Sequence, residues 1–195
     1  MVFLIGGGAI AGIIIGIVVL LLLIFIVGGY NGLVQLRNKV RNSWSQIDVQ
    51  LKRRFDMIPN LVETVKGYAS HEKSIFEEFA EARKMHAQAA KTDDVKQAAE
   101  AEKGLSGALS RLMVVQEQYP ELKANENFKE LMANLKDTED KIAFSRQFYN
   151  DNVMKLNNKI EMFPSNIIAG MFNFKAATFF EVEEASQRES VKVSF

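Results

Sequence analysis

The sequence has no cysteine among its 195 residues. That excludes disulfides, thiolate metal centres, a thiol nucleophile and a lipoprotein anchor together. Histidine is scarce, with only His71 and His86. A carboxylate-bridged di-iron bundle needs a Glu three residues before each ligating His, and those positions hold Tyr68 and Arg83. The stretch from His71 and Glu72 reaches Ile75 without the second His of a zinc-binding helix. Proline occurs only at 59, 120 and 164, which favours long helices over an all-β or α/β domain. Charge is absent from residues 1–36 and balanced over the whole, with 24 Lys and Arg against 24 Asp and Glu. The balance argues against a nucleic-acid partner.

Other catalytic patterns are missing too. Glu77-Glu78 and Asp93-Asp94 are adjacent pairs, so on a helix their carboxyls diverge instead of converging across a cleft. No serine has a nucleophile-elbow frame, and Gly6-Gly7-Gly8 lacks the lysine of a phosphate-binding loop. No catalytic residue, cofactor site or metal site is expected, and the chain reads as no enzyme.

What fills the uncharged beginning is a run at 9–27, AIAGIIIGIVVLLLLIFIV, without one polar side chain. About 20 such residues at 1.5 Å rise match the roughly 30 Å hydrocarbon core of a bilayer. A buried soluble helix would carry a polar stripe, and a cleaved secretory signal would carry a positive n-region; the run has neither. It is expected to be a transmembrane helix, and Gly8, Gly12 and Gly16 repeat the small-residue spacing that lets such helices associate into a homo-oligomer. The bases Arg37, Lys39, Arg41, Lys52, Arg53 and Arg54 follow with one acid, Asp48. The positive-inside tendency places residue 31 onward in the cytoplasm and Met1 outside. Arg37, Lys39 and Arg41 are candidates to face anionic lipid.

Beyond Gly28 and Gly29 the apolar residues Leu33, Leu36, Val40, Trp44, Ile47, Leu51, Phe55, Ile58, Val62 and Val65 recur at three- and four-residue steps. The series continues through Ala69 and Phe76 to Phe79, predicting one helix of roughly 55 to 60 residues, kinked at Pro59 and softened at Gly67. Trp44 is expected in the core, with Asp48 on its face; Asn60 and Glu63 are expected to hydrogen-bond between helices or to the carbonyl freed by Pro59. Lys52, Arg53 and Arg54 point in three successive directions and are expected to form a solvated side with Arg37, Arg41 and Gln50. Thr92 is expected to cap a second helix marked by Val95, Ala98, Leu105, Leu109, Leu112 and Val115 and ended by Pro120. Asn125 is expected to cap a third, carrying Phe128, Leu135, Thr138, Ile142, Tyr149, Val153 and Leu156 and stopped by Pro164. A short fourth helix, capped by Ser165 or Asn166, and a strand-like alternation at 191–195 complete the chain. Such a strand could add to a partner's sheet edge.

The fold class expected is all-α: a transmembrane helix, then an antiparallel up-and-down bundle of three long helices plus a short C-terminal one. The domains are expected at 1–29 for the anchor, 30–180 for the bundle and 181–195 for a tail.

Long stretches resemble the bacterial LemA family. They are YNGLVQLRNKV at 30–40, WSQIDVQLKRR at 44–54, IPNLVETVKGY at 58–68 and His71-Glu72. Further ones are YPELKAN at 119–125, Phe148-Tyr149-Asn150, FPSN at 163–166 and FNFK at 172–175. The resemblance implies an extracytoplasmic N-terminus and a mostly helical cytoplasmic bundle, with no established activity, substrate or cofactor. Where this chain has Phe55 and Met57, the family usually has His and Leu. Trp44, Asp48, Pro59, Asn60, Glu63, Tyr149 and Asn150 are the candidate structural or interaction residues. The expected function is a single-pass scaffold or adaptor in the bacterial inner membrane, bound to the lipid bilayer and to an unidentified membrane or cytoplasmic protein. The alternative is a membrane-shaping or organelle-biogenesis factor, located on an organelle membrane and acting by self-association and lipid contact.

Overall fold

The computed structural model describes residues 7–181. The alternation at 191–195, Gly6 and nearly all of the tail at 181–195 lie outside the described residues. Among the described residues six α-helices run in order: α1 (Gly7–Lys66), α2 (Lys73–Thr92), α3 (Val95–Val115), α4 (Pro120–Ala124), α5 (Glu126–Glu161) and α6 (Ser165–Met171), with a 3-10 turn at Gln116–Gln118. No strand occurs among the described residues. The all-α class and the apolar N-terminal helix are as expected. From Ile13 to Phe25 the large apolar side chains of α1 are 45–63% exposed, as a lipid-covered surface must be once the lipid is removed. Gly12 and Gly16 face open space.

The expected first long helix is divided. α1 runs through Pro59 without ending, but stops at Lys66, and α2 starts only at Lys73. Gly67 is a weak helix former, and beyond it the amides of Tyr68 and Ala69 both turn back to the carbonyl of Val65. The turn keeps Ala69 buried, so the apolar spacing continues across a reversal of direction. Two caps differ from expectation. Asp94, not Thr92, caps α3, its carboxylate accepting from the amides of Lys96 and Gln97; the Thr92 hydroxyl donates back to the Gln88 carbonyl at the end of α2. Neither Ser165 nor Asn166 caps α6, which follows Pro164, and the Ser165 hydroxyl donates to the Met162 carbonyl. Asn125 does cap α5, its side-chain oxygen accepting from the Phe128 amide at 2.9 Å. Pro120 opens α4 instead of simply ending α3.

The chain divides into two compact units, Ser43–Asn150 with Thr178–Phe195, and Met1–Asn42 with Asp151–Ala177. The larger is an antiparallel four-helix bundle. Its α1 segment meets α2 at Lys66 with Phe76 and again at Phe55 with His86. It meets α5 at Trp44 with Tyr149, and at the far end Tyr68, just after α1, meets Asn125, the cap before α5. In each case one number rises as the other falls. Helices α2 and α3 are likewise antiparallel, with Glu78 paired to Arg111 and Ala82 against Gly104. The core contains Ile47, Leu51, Ile58, Phe79, Leu105, Leu112 and Phe128, all below 4% exposed.

In the smaller unit, the α5 end and α6 pack on the part of α1 that follows the apolar run. Leu33, Val153, Leu156, Ile168 and Ala169 are buried. A Cβ on Gly29 would meet the terminal methyl of Ile168, so the glycine leaves room for that buried side chain against α1. Tyr30 packs on Phe172 at 4.7 Å and on Phe174 at 5.8 Å. Asn157 holds the extended segment after α6 by both its polar atoms, accepting from the Ala177 amide at 2.8 Å and donating to its carbonyl at 3.0 Å.

Candidate functional site

The bundle core contains a charged cluster built on Arg54, a residue that the sequence places on a solvated side. Arg54 is 1% exposed. Its guanidinium pairs with Glu102 of α3, reaches Glu139 of α5 at 3.3 Å and lies 3.5 Å from the Ser106 hydroxyl. Burial holds the Arg54 pKa below its ordinary value, and the carboxylate of Glu139 opposes that shift. Lys52 and Arg53 keep the expected exposure, so only the third of the three successive bases turns inward. Beside the cluster lies a cleft of about 890 Å³, lined among others by Arg54, Met113, Met132, Lys136, Ile142 and Arg146. No histidine borders it. A guanidinium engaged by two carboxylates neither donates nor accepts a proton at neutral pH; what it does is tie α1, α3 and α5 in one register.

Three of the candidate residues meet in a second polar group. Trp44 is half-buried and donates its indole N–H to Asp93 Oδ1 at 2.7 Å. Its ring packs on Tyr149 at 5.7 Å and on Phe180 at 6.0 Å. Tyr149 is buried and donates to the Thr178 carbonyl at 2.7 Å; burial first, and the nearby Asp93 second, push its pKa up to about 12. Asn150 accepts from the Phe180 amide at 2.9 Å and donates to the Phe180 carbonyl at 3.1 Å. One extended segment is thus gripped by adjacent side chains of α5. Asp93 supports this from a left-handed backbone, φ 52°.

The other candidates stand apart. Asp48, Asn60 and Glu63 are exposed, so Asn60 and Glu63 do not serve a buried network. The Asn60 carbonyl is taken by the Thr64 hydroxyl at 2.8 Å. Pro59 is half-buried within α1. Arg37 lies over the Phe174 ring at 5.2 Å; Lys39 and Arg41 are exposed. His71 is exposed, while His86 stacks on Phe55 with ring centres 4.1 Å apart. Burial holds the His86 pKa below its ordinary value, against Asp48 and Asp56, which raise it, and with Lys52, which lowers it. Among the described residues no group of three His, Asp or Glu side chains could hold a metal.

The bundle surface adds a feature that the periodicity did not single out. Phe144 is 75% and Phe148 50% exposed. One turn apart on α5, they form an outward aromatic pair.

The model of the LemA family matches residues 43–195. Magnetosome protein MamQ 2 of Paramagnetospirillum magneticum is 29% identical over 179 residues, covering 80% of this chain and 66% of the relative. Magnetosome protein MamQ of Magnetospirillum gryphiswaldense is 28% identical over the same length and coverage. Protein LemA of Metamycoplasma hominis is 26% identical over 160 residues, covering 81% of this chain and 71% of the relative. The chain spans just under two-thirds of the length of the magnetosome relatives it matches.

Proposed function

Because this chain belongs to the LemA family, we propose that it is a non-catalytic, membrane-anchored scaffold whose helical bundle recruits a protein partner. The observation that carries this reading is the exposed pair Phe144 and Phe148 on α5. Aromatic side chains are the common anchors of protein interfaces, whereas the buried charge cluster at Arg54 is engaged in helix-to-helix pairing. In this reading residues 1–29 hold the bilayer, 30–180 present the surface and 181–195 form a tail. The N-terminus lies outside the bacterial inner membrane and the bundle in the cytoplasm. A photo-crosslinking residue in place of Phe144, in cells, should give one discrete protein adduct that the same residue at Lys129 does not. Equal, diffuse labelling from both positions would sink the scaffold reading.

A second reading, a membrane-shaping or organelle-biogenesis factor, draws on the relatives named for the magnetosome and on Gly12 and Gly16, which face open space in the apolar run. Full-length protein at high density in liposomes would then deform them, and neutralising Arg37, Lys39 and Arg41 would abolish the effect. Undeformed vesicles would leave the scaffold reading alone.

A further inference from the structure

The corner between α5 and α6 exposes Met162 at 62%, Phe163 at 79%, Ile167 at 55%, Met171 at 64% and Phe172 at 47%. Five large apolar side chains within eleven consecutive residues make a patch that water would cover at a cost. The same short stretch buries Ile168 and Ala169, so the exposed side chains are the outward face of a packed corner and not an unfolded end.

The height of this corner above the bilayer is fixed by its contacts in the smaller unit. The apolar run ends at Val27. Tyr30, three residues on, lies about 4.5 Å further along the helix, within a headgroup layer of roughly 5–8 Å per leaflet. Ile168 seats against Gly29, and Phe172 packs on Tyr30. Along α1 the exposure first falls at Ile26 and Gly29, so coverage by protein begins before the apolar run is over. Charge agrees with the placement. Outside the apolar run this unit carries Arg37, Lys39, Arg41, Lys155, Lys159 and Lys175 against two acids, Asp151 and Glu161.

We propose that the α5–α6 corner is a second membrane contact, in which Phe163, Ile167 and Met171 insert into the headgroup and acyl boundary of an anionic bilayer beside the transmembrane helix. The inference rests on the reading of α1 as a membrane anchor. Insertion of this kind is that of a monotopic segment, an apolar tip immersed by several ångströms and ringed by Lys and Arg. Attached at two points, the smaller unit is held at a fixed depth and cannot swivel freely about α1.

The absence of native cysteine makes the test direct. Single variants Phe163→Cys, Ile167→Cys, Leu20→Cys and Phe144→Cys of the full chain are spin-labelled and reconstituted in phosphatidylglycerol and phosphatidylethanolamine vesicles. Collision with oxygen and with a water-soluble nickel chelate is then measured. Labels at 163 and 167 are expected to resemble the label at 20, accessible to oxygen and shielded from nickel, while the label at 144 shows the reverse. Nickel access at 163 and 167 equal to that at 144, with 20 still shielded, overturns the second contact and leaves the anchor standing. Nickel access at 20 overturns both. Labels at 163 and 167 shielded from both reagents indicate coverage by protein, such as a second copy, and also overturn the proposal.

Discussion

Arg54→Met isolates the energetic weight of the charge cluster. In the folded chain the guanidinium is 1% exposed and the Glu102 side chain 7%, whereas Glu139 is 56% exposed. Solvent therefore screens the contact to Glu139, which is worth no more than about 1 kcal/mol. It screens the Glu102 pair little. Removing the arginine leaves a buried carboxylate without its cation, a loss of about 3–5 kcal/mol. For a chain of this size that corresponds to a fall in Tm of about 6–20 °C. The double variant Arg54→Met/Glu102→Met should recover most of the loss, because similar-sized apolar side chains often replace a buried pair without net cost. Arg54 Nε and Glu102 Oε2 are buried without hydrogen-bond partners, which tilts the comparison further towards the double variant. Denaturant unfolding of the detergent-solubilised full chain, followed by circular dichroism at 222 nm, measures all of these. A loss below about 1 kcal/mol in Arg54→Met, or a double variant as weak as the sum of the two singles, would refute a strongly coupled buried pair.

Asn150→Ala removes both hydrogen bonds to Phe180 and should cost about 1–3 kcal/mol. Hydrogen exchange at the Phe180 amide should quicken in this variant while exchange at the centre of α3 is unchanged; unaltered Phe180 exchange would contradict the grip. Burial depresses the His86 pKa from its ordinary 6.5, so the unfolded chain binds the proton more readily than the folded one. The stability that depends on neutral His86 is therefore full above that value and declines as pH falls through it. Tm should drop more steeply below pH 6.5 in the parent chain than in His86→Gln, and parallel profiles would remove the effect. Pro59→Ala restores a backbone donor inside α1 and should raise stability by about 1–3 kcal/mol with the helical signal intact; loss of most of that signal would mean that Pro59 ends a helix.

The class of fold was legible because it depends on quantities that one-dimensional spacing carries. These are the length of the uncharged run, the three- and four-residue apolar steps and the few prolines. The point of reversal was not. Val65, Ala69 and Phe76 keep near-helical spacing across the turn at 67–72 because Ala69 remains buried inside it. A seam read by period alone therefore passes from α1 into α2 without a signal other than Gly67. The polar group around Trp44 was half legible: Trp44, Tyr149 and Asn150 stood out singly, but Asp93 and the segment ending at Phe180 are distant in sequence. Local spacing sets Asp48, Asn60 and Glu63 close to the seam, but the helix turns them to solvent.

The buried ion pair was present in the same spacing, under a different choice of residues. Ile47, Leu51, Arg54, Ile58, Leu61 and Val65 are all buried, and their steps run four, three, four, three, four. That regular seam runs through Arg54 and not through Phe55, which is its buried neighbour against His86. On α3 the expected side passed from Ala98 to Leu105, a gap of seven; Glu102 fills it, and the buried series Ala98, Glu102, Leu105, Leu109 and Leu112 then has steps of four, three, four and three. A charge at one seam position is a cost that a solvated neighbour can relieve by a small rotation of the helix. Opposite charges at seam positions of two helices relieve each other, provided that the helices stand side by side at one register. The pairing of Arg54 with Glu102 is thus a constraint on topology as well as on stability. Had the chain run straight through Gly67 as one helix to about residue 90, no α2 would have turned back between them, and the antiparallel return that brings α3 beside the α1 segment would be lost.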